Sequence, residues 1–167
     1  MSGRVGMSAS EIAGLNIDSR RDGQLHLAWA ITGNSLRDFH KTKNRTRKIP
    51  LTNAINRVLD EAMEQKPADS IFIFLRKNGK PFRNREFREA WHEACAAAEI
   101  PFLVTYALRH CFVAYSEIMG IDRFRTVALM GHAGKSMIDR VYGKYTSMLE
   151  RERRAIKEYY GEDFWGE

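Results

Sequence analysis

The chain has 167 residues, 44% hydrophobic and 29% charged, enough apolar material for one buried core and a composition that excludes wholesale disorder. Its 27 Lys and Arg outweigh 21 Asp and Glu for a formal charge of +6, a balance that fits a polyanionic partner without requiring one. Two cysteines, Cys95 and Cys111, are too few and too separated for a disulfide framework or a zinc site, no apolar run approaches about 18 residues and no signal-peptide pattern opens the chain, so a protein of the reducing cytoplasm with no membrane contact is expected.

"GMSASEIAGL" sets Met7, Ile12 and Leu15 in a helical pattern that breaks near Gly14 and Asn16, and a short helix is expected there. "QLHLAWAI" (24–31) alternates Leu25, Leu27, Trp29 and Ile31, the period of a half-buried strand. The turn-rich "TGNS" leads to "HKTKNRTRKIPL", which reads as a basic hairpin with "RKIPL" as its returning strand. Thr52 is placed to cap a helix with apolar pairs at Ala54/Ile55, Val58/Leu59 and Ala62/Met63, ended by Pro67. "IFIFL" (71–75) reads as a strand or buried link, "NGKPF" as a turn, and Asn84 as the start of a helix through Phe87, Ala90, Trp91, Ala94 and Ala97. Short helices follow: Thr105 to Met119, stopped by Gly120; a turn or two from Asp122, stopped by Gly131; a segment opening at Ser136; and a charged helix from the Ser147/Glu150 capping box to about Tyr160. No repeat or internal linker divides this pattern. The expected fold is α+β and mainly α, short helices around a small antiparallel sheet, in one domain over 1–167.

Chemistry concentrates in the last third. Tyr106, Arg109 and His110 in "TYALRHCF" lie at helical positions that share one face. His132 follows a glycine in "LMGHAG", and Tyr142 stands ten residues further on in "DRVYGKY". Arginine, histidine and tyrosine are the groups that attack on a phosphodiester needs: a phenol oxygen as nucleophile, a guanidinium on the non-bridging oxygens, and an imidazole to donate to them. Upstream, Lys41, Lys43, Arg45 and Arg47 alternate, and in a strand that period aims all four at one side. Such a row repels itself unless a polyanion lies against it, so phosphate contact is the natural reading, with a solvated loop as the bland one.

"LRH…F", "LMGH" and "VYGKY", in this order behind a basic hairpin, resemble the catalytic domain of the tyrosine recombinase (phage integrase) family, over roughly Gly6 to Phe164. The resemblance implies that family's fold and site-specific DNA recombination through a 3′-phosphotyrosyl intermediate. Arg109 then matches the second phosphate-clamping arginine, and His132 the histidine that hydrogen-bonds the scissile phosphate. Tyr142 matches the nucleophile better than Tyr145 does, and Tyr106 stands where the family usually has His. Lys41, with Lys43 as the alternative, matches the lysine that protonates the leaving 5′ oxygen; Lys43, Arg45, Arg47 and His110 would contact DNA. Glu11 matches a buried acidic buttress. No cofactor and no metal are implied. The implied partners are double-stranded DNA and, through the aromatic "EYYGEDFWGE", a neighbouring subunit.

The chain departs from the family pattern at one informative position. Gly-x-Arg-x-Ser-Glu is expected, and Gly6-Met7-Ser8-Ala9-Ser10-Glu11 is present, so Ser8 stands where the first active-site arginine would be. A hydroxyl can hydrogen-bond phosphate but carries no charge, a loss worth roughly 10²–10³ in rate. Arg4, one turn earlier, would point away toward the N-terminus. Only seven residues precede Ser8, whereas the family carries further helix and a separate DNA-clamping domain there, so a fragment or truncated remnant lacking that domain is expected. Two other readings stay open: a non-catalytic DNA-binding remnant, and an interaction domain that keeps only the fold.

Overall fold

The computed structural model describes residues 1–33, 35–38, 46–131 and 152–160, with the side chains of 159 and 160 excepted. Two very short helices open the chain, α1 (Ser2–Val5) and α2 (Ala9–Ala13), separated by Gly6 in the left-handed region at φ 65°. A 3₁₀ turn (Ile17–Ser19) leads into β1 (Arg20–Arg21), β2 (Gln24–Leu27), β3 (Trp29–Thr32), β4 (Ser35–Asp38) and β5 (Arg47–Pro50). The remaining described elements are helices: α3 (Asn53–Gln65), α4 (Asn84–Ala97), α5 (Tyr106–Ile118), α6 (Arg123–Met130) and α7 (Arg153–Tyr160). A mainly helical domain with a small antiparallel sheet is what the hydrophobic pattern calls for, and it is what forms.

The strands differ from the expected single hairpin. "QLHLAWAI" breaks at Ala28 into two strands that join different sheets: β2 lies between β1 and β5, while β3 pairs with β4. Leu25 and Leu27 are buried on β2, but on β3 the consecutive residues Ala30 and Ile31 are both buried, so the strict alternation ends at the break. Strand β5 does return antiparallel, with Leu25 opposite Ile49 and Leu27 opposite Arg47. "IFIFL" forms no strand; it is a link with Ile73 buried and Ile71 exposed, held by single bridges, Asn16 to Phe72 and Leu75 to Pro81.

Caps fix the helix starts. Thr52 Oγ1 accepts the Ile55 N–H at 3.3 Å, and Asp122 Oδ1 accepts those of Phe124 and Arg125 at 2.9 and 3.1 Å, each satisfying donors that a helix N-terminus leaves open. α4 starts at Asn84 as expected, and α1 has no counterpart in the sequence pattern: four residues without a side-chain cap leave no periodic signal.

The core gathers Val5, Met7, Leu15, Leu25, Leu27, Ile49, Leu59, Ile73, Phe112 and Val113, all within 2% of complete burial. α5 runs through it with α1 against one side. α7 lies on α5 of the same chain, with Ile156 buried and Arg153 donating to the Ile118 carbonyl at 3.1 Å. Cys95 is buried, Cys111 half-buried, and both are unpaired. Among the described residues no helix is long and apolar enough to cross a membrane.

Candidate active site

The site starts from the tight turn between α1 and α2. Gly6 has no alternative there: a Cβ would lie 2.5 Å from the Phe112 ring, at a φ that L-residues rarely adopt. The turn leaves the Gly6 carbonyl facing α5 and hands the chain to Ser8, the N-cap of α2. Ser8 Oγ accepts the Glu11 N–H at 3.3 Å, and Glu11 Oε2 accepts the Ser8 N–H at 2.8 Å, a reciprocal capping box. The Ser8 oxygen thus caps its own helix as an acceptor, a contact that leaves its O–H free of that bond.

Arg109 projects from α5 into this turn and is only 5% exposed. Its Nη1 donates to the Gly6 carbonyl and, at 3.3 Å, to Glu11 Oε2; its Nη2 donates to the Met130 carbonyl at the end of α6. Its Nε is buried and finds no partner among the described residues. Burial lowers the guanidinium's pKa and Glu11 opposes that; arginine stays charged throughout. Tyr106, one turn earlier and largely exposed, interacts with the same guanidinium through its phenol. The ring of His110 meets that of Tyr106 edge-on at 4.9 Å. Burial first, and then the charge of Arg109, pull the His110 pKa down. Tyr106, Arg109 and His110 do share one neighbourhood, as their spacing requires.

Glu11 is the hub. Burial pushes its carboxyl up, but hydrogen bonds and charge from Arg47, the Ser8 N–H and Arg109 outweigh that and hold it below the usual carboxylate range. Arg47 occupies both of its oxygens, Nη1 to Oε1 at 2.7 Å and Nη2 to Oε2 at 3.0 Å, and donates its Nε to the Leu129 carbonyl. This corrects the expectation that Arg47 faces outward in a basic row: its side chain is 6% exposed. The signal was present, since Arg47 has the same strand parity as Ile49, which is fully buried.

Arg47 and Arg109 together take the last two carbonyls of α6, Leu129 and Met130, which an isolated helix end leaves open. Gly131 closes that helix at φ 65°, directly before His132 in the chain. His132, Tyr142 and Tyr145 lie outside the described residues, as do Lys41, Lys43, Arg45 and all of 161–167. Among the described residues no cluster of His, Cys, Asp or Glu could hold a metal.

A sequence profile of the phage integrase family matches residues 4–147. No curated protein sequence matches the chain. By fold, it is similar to the Tn1549 transposon integrase in complex with circular intermediate DNA, with a TM-score of 0.75 and 18% identity over 92% of this chain and 57% of that one. XerA recombinase gives a TM-score of 0.69 and 15% identity over 90% of this chain and 53% of that one. XerH site-specific recombinase in a post-cleavage complex with a palindromic difH substrate gives 0.63 and 17%, over 96% of this chain and 44% of that one. The chain thus spans about half the length of these recombinases. Matched to the family profile over most of its length and sharing the fold of these enzymes, the chain belongs to the phage integrase family, the tyrosine recombinases.

Proposed function

We propose that this chain performs site-specific DNA strand exchange by transesterification. The Tyr142 oxygen attacks a DNA phosphorus and forms a 3′-phosphotyrosyl ester. The P–O bond to the 5′ oxygen breaks, and Lys41, with Lys43 as the alternative, supplies the proton that makes it a 5′ hydroxyl. A 5′ hydroxyl of the partner strand reverses the step, so bond energy is conserved and no metal or nucleotide is consumed. Free tyrosine titrates near about 10, so attack at neutral pH draws on a cationic field. Arg109 supplies that field and, with His132, neutralises the pentacoordinate phosphorane, while Tyr106 donates where the family has His. The partners are double-stranded DNA and, on DNA, a second copy reached through the C-terminal segment.

One observation carries the reading. Arg109 and Arg47 converge on the Glu11 carboxylate, so these three side chains together carry a net positive charge in a buried cluster, and the Arg109 Nε–H has no hydrogen-bond partner among the described residues. Net positive charge in a buried cluster favours an anion beside it, and a phosphodiester is the anion this family handles. A second reading, a DNA-binding remnant without catalysis, draws on Ser8, which caps a helix and brings no charge. A nicked suicide duplex separates the two. Strand exchange predicts a covalent adduct on a denaturing gel, lost in Tyr142→Phe and kept in Tyr145→Phe; binding without any adduct favours the remnant.

A further inference from the structure

Glu11 divides itself unequally between its two arginines. Arg47 meets it fork to fork, at 2.7 and 3.0 Å, whereas Arg109 reaches one oxygen at 3.3 Å with a nitrogen it shares with the Gly6 carbonyl. The bidentate pair is the stronger geometry, and it is buried, with side-chain exposures of 6% and 7%. If Arg47 were absent, Arg109 would be the cation left in contact with Glu11 within this trio. The carboxylate would then close on Arg109 and cancel its charge.

We infer that Arg47 is a positioning residue for phosphate recognition: by occupying Glu11 it keeps the charge of Arg109 available to an incoming phosphate. In doing so it makes up, from β5, for part of the charge absent at position 8. Glu11 Oε2 is where these parts meet, since it accepts from Arg47, from Arg109 and from the backbone N–H of Ser8 itself. Arg4 does not serve this purpose; it lines a different cavity with Met1, Ala54 and Arg57 and acts on the terminal amine. The identity of the anion as a DNA phosphate rests on the strand-exchange reading, whereas its attraction to the net charge of this trio does not.

The test uses the full chain in four forms: parent, Arg47→Met, Arg47→Lys, and Arg47→Met combined with Glu11→Gln. Two quantities are read: the Kd of inorganic phosphate, and the single-turnover rate of adduct formation at saturating nicked DNA. Arg47→Met should weaken phosphate about tenfold, the scale of one charge-assisted hydrogen bond. It should slow the saturated rate by about 10²-fold while leaving the half-saturating DNA concentration nearly unchanged. Arg47→Lys, with the charge but not the fork, should fall between. The double variant removes the quenching carboxylate together with Arg47, so it should bind phosphate more tightly than Arg47→Met and approach the parent. A purely structural Arg47 predicts the reverse order, and a double variant no better than Arg47→Met overturns the inference, as does a parent that binds no phosphate. If Arg47→Met does not fold, the double variant is compared with the parent alone: affinity near the parent's supports the inference and loss of binding overturns it. Phosphate binding in the expected order without any adduct refutes strand exchange and leaves the positioning role standing; adducts without that order do the opposite.

Discussion

Replacing Ser8 with arginine sets two effects against each other, and the structure assigns a size to each. The hydroxyl of Ser8 accepts the Glu11 N–H, and removing an N-cap of this kind costs about 1 kcal/mol. The other half of the capping box survives, because Glu11 accepts from the backbone N–H of residue 8 and not from its side chain. Ser8→Arg and Ser8→Ala should therefore lose similar stability, about 1 kcal/mol, which for a domain of this size lowers Tm by about 2–4 °C. Ser8→Asp, which keeps a capping oxygen, should lose less of that cap. Activity should separate the first two. Ser8→Arg brings a cation to the Glu11–Arg109 cluster and should raise the single-turnover rate of adduct formation by up to about 10²-fold, whereas Ser8→Ala should leave it unchanged or lower. Calorimetric melting and a gel-shift time course read both quantities on the same samples. An unaltered Tm in Ser8→Ala refutes the capping argument. A Ser8→Arg protein that keeps its fold yet gains no rate refutes the argument that position 8 lacks a needed charge.

Gly6→Ala forces a Cβ to within 2.5 Å of the Phe112 ring at positive φ; overpacking and left-handed strain together should cost about 2–5 kcal/mol, read by denaturant unfolding. The pKa of Glu11 is lower in the folded state than its ordinary value of 4.5, so its contribution to stability is complete above that value and is lost as pH falls through the folded pKa. The stability gap between the parent and Glu11→Gln should accordingly narrow on acidification below about pH 5, and a gap that widens there contradicts the assignment. Replacing Lys43 and Arg45 with Ala should weaken binding to all DNA sequences alike and reduce the salt dependence by up to about two units of slope; an unchanged slope means that neither side chain meets phosphate.

Much of this was legible in the sequence because it is local. Helix starts at Thr52 and Asp122 follow from a capping residue ahead of an apolar pattern, and the left-handed stop at Gly131 from the one residue suited to it. Tyr106, Arg109 and His110 share a neighbourhood because helical spacing leaves them little choice. What was not legible depends on long-range pairing. Arg47 continues the alternation of the basic residues before it, but its place is decided by Glu11, 36 residues away, and by the buried face it shares with Ile49. The break at Ala28 is of the same kind: an unbroken alternation cannot reveal that Leu27 and Trp29 belong to different sheets. Ser8 was legible as a missing charge but not as a helix cap, because a cap is recognised only once the start of the helix is known.

The central claim is that this chain cuts DNA with Tyr142 against a phosphate held by Arg109. Its most direct test is to trap the protein on a nicked duplex, digest the adduct and locate the modified tyrosine by mass spectrometry. The account predicts a phosphonucleotide on Tyr142, formed by the parent and lost when Arg109 is changed to Gln in a protein that still folds. A phosphonucleotide on Tyr145, or DNA bound tightly with no tyrosine modified, contradicts it.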